Sequence, residues 1–393
     1  MVEMVVSICT FLLYFVVIAP SLIITRQATI QIEKGRKREF IILSLIAIIV
    51  PCIFSGFRGE NVGVDVLGYA KPVYKMAEST GSLSEFLGLS LRYETGYRLI
   101  AYIAAHRFHS FNAQLLLTQL LINTPIYCGA ILLRKRFQPW IIMLSFYCLF
   151  FVETFNIMRQ GIGVAFAFLA FSFMIEKKCK TSAVFAVIGY FFHTTMIIGC
   201  GLLVFVYLFK KIKRKSIRVL CVFTLTIAVP VVMRFWKPAL VLLAEKGLVP
   251  SQYVRYFITD QVQYFRELGT KNYFELAIRW IGVAIPLIFG NRLLKNKEDI
   301  RYTLFLAVLL GSLIYTSVFI FLHSSYGYRI SFYLEILYIL WLPSIYRKPN
   351  RKSGRFRVPL SNIVLFSSLI LCFFVGYMML GLHRTLPFYF QLY

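Results

Sequence analysis

Carboxylates are scarce in this sequence: 17 Asp and Glu stand against 43 Lys and Arg, and only three are Asp (65, 260 and 299). No D-x-D pair occurs, so the usual carboxylate clamp for a divalent metal on a nucleotide-sugar diphosphate is missing. Charge of either sign is low, at 15% of residues, while 59% are hydrophobic. A soluble domain of this size needs far more polar surface, which excludes that class. The eight cysteines (9, 52, 128, 148, 179, 200, 221 and 372) are scattered, mostly inside apolar runs, with no CxxC pair. Neither a disulfide framework nor a zinc site follows from such spacing, and they read as small core residues. No internal repeat is visible, which weakens an inverted-repeat transporter. The first apolar run lacks a basic n-region and an A-x-A-like cleavage site, so it reads as a retained span.

What the chain does have is long apolar runs, at 4–25, 39–57, 113–133, 138–156, 159–176, 217–235, 276–291, 302–322, 329–346 and 360–381. They are broken by basic loops rather than alternating with polar residues, which selects helices over a barrel. Basic clusters sit at 34–38, 134–136, 177–180, 210–218, 292–301 and 347–357. Placing every cluster in the cytoplasm gives one consistent path with both termini outside, and accounts for most of the net charge of +26. No basic domain is left over to bind nucleic acid. The apolar stretch 181–209 has cytoplasmic clusters at both ends, so it must cross twice or re-enter, as two short helices turning at His193 and Thr194. The expected fold is an all-α polytopic membrane helix bundle of about 12 crossings, a single transmembrane domain over 1–393. Two long segments lie on its outer side. One is 58–112, a long segment at 58–95 followed by a surface helix at 96–110; the other is a loop at 236–275. Connections of this length in a membrane protein are more often functional than accidental.

Sixteen cations fall on or near the outer side, where the positive-inside rule does not explain them: Arg58, Arg92, Arg98, Arg107, Arg159, Arg234, Arg255, Arg266, Arg279, Arg329 and Arg384, with five Lys. The preference for Arg points to bidentate recognition of phosphate or carboxylate, although any single Arg at this depth also suits a lipid phosphate. Arg58 ends the second span, while Arg159 and Arg329 each begin an apolar run, where a helix N-terminus adds its own positive field. These three at one depth make a candidate anion site. Candidate bases on the outer side are Asp65, Glu94 and His193. Glu153 and Glu335 lie within spans near the outer face, where a carboxylate is either functional or paired with a nearby Arg. His106 and His109 have no further ligands in view, so no metal site is expected.

Several of these residues fall in a family pattern. Gly56-Phe57-Arg58, followed by Val62-Gly63-Val64-Asp65 and Tyr69, resembles the "GLR…VGTD…Y" signature of the EpsG-like polysaccharide polymerases, relatives of the Wzy O-antigen polymerases. Glu94-Thr95-Gly96-Tyr97 resembles their "EPGF" step. Met158-Arg159-Gln160-Gly161, then Glu176-Lys177-Lys178 and Phe192-His193-Thr194-Thr195, is similar to their "RQ…KK…FHSS" core in order and spacing. Tyr328-Arg329 with Phe332-Tyr333 matches a late "RF..YF" element. Val64, Thr95 and the Thr194-Thr195 pair depart from the pattern without removing a charged candidate.

The resemblance implies an undecaprenyl-diphosphate-linked oligosaccharide as substrate. It also implies a polymerase in the bacterial cytoplasmic membrane whose site faces the periplasm or cell exterior. On that reading Arg58, Arg159 and Arg329 hold the diphosphate, and Gln160, Tyr69 and Tyr328 contact substrate. Glu94 or Asp65, then His193, serves as base, and no metal or other cofactor takes part. A chain-length regulator and a flippase are the implied partners beside membrane lipid. Three alternatives stay open: a flippase or transporter of the same lipid, a membrane O-acyltransferase with His193 as base, and an O-antigen ligase.

Overall fold

A computed structural model of the protein describes residues 2–91, 93–209, 211–247, 270–290, 300–322, 327–348, 358–382 and 385–391. They are all-helical; no strand occurs among them, and an isolated bridge joins Arg58 to Phe390. Seven helices among the described residues are long and apolar enough to cross a membrane: Ile8–Glu33, Lys37–Gly56, Phe111–Leu132, Met158–Ile175, Ser216–Trp236, Ile300–Phe321 and Leu360–Met379. Shorter apolar helices cover Pro139–Phe151, Cys179–Phe192, Met196–Phe209 and Phe332–Ile345. The protein is therefore a membrane helix bundle. Its chain forms two compact units, residues 1–197 with 362–393, and residues 198–361.

The first unit holds α1 (Val2–Glu33), α2 (Lys37–Gly56), α3 (Lys71–Glu78), α4 (Leu83–Gly88), α5 (Thr95–Arg107), α6 (Phe111–Leu132), α7 (Pro139–Phe146), α8 (Met158–Ile175) and α9 (Cys179–Phe192). At its centre is α8, 83% buried along its apolar window. Helices associate in lipid by close packing, and small residues permit it. A Cβ at Gly129 of α6 would lie 2.6 Å from the Phe168 ring of α8, and one at Gly56 of α2 would lie 2.9 Å from the backbone of Leu116 in α6. Pro51 lies inside α2, and the Ser55 hydroxyl donates to its carbonyl at 2.8 Å. The C-terminal tail returns over the end of α2, with Gly59 N–H on the Tyr389 carbonyl and Gln391 N–H on the Phe57 carbonyl, both 2.9 Å.

The segment 58–112 is built rather than loose. A wide π turn at Val66–Ala70 leads into α3. Ser82 caps α4 by accepting from Glu85 N–H at 3.2 Å, while the Glu85 carboxylate accepts from Gly81 N–H at 2.9 Å. Arg98 of α5 donates to the Phe86 carbonyl, and His106 meets the Ala77 carbonyl at 2.8 Å. The helix expected at 96–110 is thus present as α5, packed on α3 and α4 by polar side chains that find backbone partners.

Where the charge pattern required two short helices, the chain forms α9 and α10 (Met196–Phe209) with the turn at His193 to Thr195. In the second unit, α11 (Lys215–Glu245) runs ten residues past the end expected at 235, so the first part of the 236–275 segment is helix. Residues 248–269 of that segment lie outside the described residues, as do the basic stretches 291–299 and 349–357, the turn at 323–326, and Arg92, Arg255, Arg266 and Arg384. The run expected as one span at 329–346 is broken into Gly327–Ile330, Phe332–Glu335, Tyr338–Trp341 and Leu342–Ile345. Tighter i to i+3 bonds, such as Leu334 N–H to the Ser331 carbonyl at 2.9 Å and Leu337 N–H to the Leu334 carbonyl at 3.0 Å, interrupt the regular helix.

Candidate functional site

The first unit gathers four sequence motifs at one place. Gly63, at φ +97°, takes a left-handed conformation that favours glycine, and a Cβ there would lie 3.0 Å from the Phe155 carbonyl. The next N–H, of Val64, donates to the Asn156 side-chain oxygen at 2.6 Å. The Val62–Asp65 loop is thereby fixed against the residues that lead into α8, whose second residue is Arg159. Gly96 does the equivalent on the other side: a Cβ there would lie 2.8 Å from both the Phe191 carbonyl and the Phe192 ring. The start of α5 can therefore abut the end of α9 and its His193 turn.

Glu94 stands at the N-cap of α5, but its side chain does not cap the helix. It forms an ion pair with Arg159 Nη1 instead, and its Oε1 accepts from Thr194 N–H at 3.4 Å. Both side chains are mostly buried, 14% exposed for Glu94 and 21% for Arg159. The Arg159 carbon Cζ lies 4.9 Å from the Tyr69 ring centre and 5.2 Å from that of Tyr93. Because those two rings are 6.0 Å apart, the guanidinium rests against the pair rather than between them. The Tyr69 hydroxyl also accepts from Arg159 N–H at 3.4 Å. Arg159 Nε is buried and finds no hydrogen-bond partner among the described residues.

Tyr69 itself is set by Tyr97, edge-on at 5.7 Å, whose hydroxyl accepts from Gln114 Nε2 at 3.1 Å. Burial, followed by the nearby Asp65 carboxylate, pushes the Tyr69 phenol well above its ordinary value, with Arg159 opposing. The phenol is therefore a neutral hydrogen-bonding group at any ordinary pH. His193 closes α9 in an extended conformation, with Nδ1 2.6 Å from the Thr195 hydroxyl.

The sequence candidates thus separate. Glu94, Arg159 and Tyr69 are in direct contact, the turn of His193 and Thr194 touches Glu94, and Asp65 lies close enough to act on Tyr69 and Tyr97. Gln160 follows Arg159 but is 2% exposed. Arg58 has no exposed surface: Nε donates to the Val62 carbonyl at 3.2 Å, Nη1 to the Ser55 carbonyl at 2.5 Å, Nη2 reaches Met158 Sδ at 3.3 Å, and the Phe155 ring lies 4.5 Å away. Its contacts tie the 59–62 loop to the start of α8. Arg329 is half-buried in the second unit, and the side chain of Tyr328 lies outside the described residues. Two participants escaped the sequence reading. Tyr93 and Asn156 carry no signal of their own beyond adjacency to Glu94 and to the Arg159 motif.

The second unit has its own charged cluster. Arg279 pairs with Glu335 at 3.0 Å and Glu275 at 3.4 Å and stacks on Tyr315 at 3.6 Å. Tyr315 donates to Glu275 at 2.7 Å and Ser331 to Glu335 at 2.9 Å. Each charge is answered within the cluster, which resolves Glu335 as a paired carboxylate. Among the described residues, no three His, Cys, Asp or Glu side chains gather as a metal-ligating group.

No curated protein and no solved structure matches the chain. One family model does, over residues 41–392, which takes in every motif described above, and the chain belongs to the EpsG family.

Proposed function

We propose that this protein is a polysaccharide polymerase. It joins undecaprenyl-diphosphate-linked oligosaccharide units at the outer face of the bacterial cytoplasmic membrane, without a metal. Family membership supports an exopolysaccharide-related membrane protein, and the observation that carries the finer reading is the Arg159–Glu94 pair at the head of α8. A cation for a departing diphosphate and a carboxylate for an acceptor proton stand side by side, next to stacked tyrosines suited to sugar rings. In the reaction, an acceptor hydroxyl oxygen bonds to the donor sugar's anomeric carbon and the bond from that carbon to the diphosphate breaks. The diphosphate leaves with the electron pair, and the hydroxyl proton passes to the base. Arg159 stabilises the developing charge, Glu94 accepts the proton, and Asp65 and His193 orient the sugar hydroxyls around them. Arg58 positions the loop beneath. Twelve crossings with both termini outside complete the topology, and a chain-length regulator and flippase act alongside.

The test is a ladder of lengthened products on a gel from purified protein and its host's lipid-linked oligosaccharide, with chelator present throughout. The ladder should form, and Arg159→Ala should reduce its rate by about 10²- to 10³-fold. An unchanged ladder in that variant would sink the diphosphate site. If no ladder forms while the same lipid crosses vesicle bilayers, the protein is a flippase instead.

A further inference from the structure

We propose that Arg159 holds Glu94 in an inactive pairing until a phosphate oxygen of the donor displaces it, so that the base becomes available only when the donor is bound. The proposal rests on the polymerase reading above and adds its order of events. Three observations on the Arg159–Glu94 pair carry it. First, the Glu94 oxygen Oε2, one of the two that can accept a proton, is engaged by Arg159 Nη1, and the other, Oε1, receives Thr194 N–H. Both carboxylate oxygens are thus tied to protein donors, which fixes where the carboxylate can face. Second, the guanidinium is fixed from behind by Tyr69 and Tyr93, so an incoming anion meets it at its edges, and the edge already occupied is the one facing Glu94. Third, Nε is buried and lacks an acceptor among the described residues. Leaving such a donor unmet is costly, and an arriving oxyanion would satisfy it.

A diphosphate carries more charge than a carboxylate and offers several oxygens, so it can bridge Nε and the terminal nitrogens, where Glu94 reaches only Nη1. Once Glu94 is displaced, Thr194 N–H still restrains it at the turn, a few ångströms from the departing group. It then accepts the acceptor's hydroxyl proton as that oxygen bonds to the anomeric carbon and the diphosphate leaves with its electron pair. Donor binding therefore precedes activation of the acceptor. Without donor, the pair stays closed.

The experiment measures binding of undecaprenyl diphosphate, with inorganic pyrophosphate as a second probe, to the full chain in lipid nanodiscs. Elongation is assayed on the same preparations. Glu94→Gln, which keeps the shape and loses the charge, should bind both probes about five- to tenfold more tightly while elongation falls about 10²-fold or more. Arg159→Ala should lose that binding. If Glu94→Gln binds no more tightly than wild type while Arg159→Ala binds weakly, the held-base proposal is overturned and the diphosphate site stands. If Arg159→Ala binds both probes as wild type does, the diphosphate site is wrong and the proposal falls with it, while the polymerase reading is decided separately by whether wild type elongates. Thermal unfolding of each variant guards against misfolding. Glu94→Asp, which reaches less far toward Arg159, provides the second line: tighter binding with partial elongation supports the proposal, and unchanged binding overturns it.

Discussion

Arg58 and Arg159 look alike in the sequence, each at the outer end of an apolar run, yet their surroundings ask different things of them. Arg58 is enclosed and bonded to the Ser55 and Val62 carbonyls, so Arg58→Met leaves buried acceptors unmet. With about 1.5–3 kcal/mol for each charged hydrogen bond, that variant should melt well below wild type and lose activity in proportion. Arg159→Ala should lose activity with a much smaller shift in melting temperature. Parallel shifts in both variants would argue against separate roles. Gly96→Ala offers a further check, since its new Cβ meets backbone at Phe191 that cannot swing away. It should cost about 1–3 kcal/mol and loosen Glu94 from the His193 turn, read as lower melting temperature and slower elongation together. The charged candidates were legible because a carboxylate, Arg or His at the end of an apolar run is rare enough to stand out. Tyr93 was not, because it is one of 24 tyrosines and its meaning comes from a ring contact with a residue 66 positions away.

Among the elements, α9 and α10 could be read from charge alone: cations at both ends of one apolar stretch permit only a return, and the turn falls at His193 as expected. Charge could not reveal that α11 continues to Glu245, since the Lys237-Pro238 step that follows the apolar run is compatible with helix as well as loop. Nor could composition show that 329–346 is broken, because short turns and a continuous helix bury the same apolar residues. What holds that broken stretch is visible only in three dimensions, in the Arg279 cluster. Removing Arg279 alone strands two carboxylates, so Arg279→Met should cost about 3–5 kcal/mol. Arg279→Met combined with Glu335→Leu and Glu275→Gln should recover much of that loss. Thermal unfolding of the purified single and triple variants decides it, and a triple variant no more stable than the single would show that the cluster does more than balance its own charges.

At the scale of the whole molecule, the asymmetry of 43 cations against 17 anions is a topological signal, and the proposed path makes it testable. Reporter fusions after Gly35 and Lys213 should report cytoplasm, and one after Gly81 should report the outer side; a reversed pattern would put the Arg159 site on the wrong face for a lipid-linked donor already flipped. The short helices on either side of the His193 turn have a consequence for the surrounding lipid. Each of α9 and α10 has 14 residues, a rise of about 21 Å, against a hydrocarbon thickness of ~30 Å. If both cross as the proposed path has it, local thinning of the bilayer is one way to accommodate them, and it would draw headgroups toward the turn and shorten the distance the proposed polyprenyl carrier has to sink. On the polymerase reading proposed above, acyl-chain length should therefore tune elongation: the protein reconstituted in shorter-chain lipids should elongate faster than in long-chain ones at equal fluidity, making membrane thickness itself a determinant of polymer output.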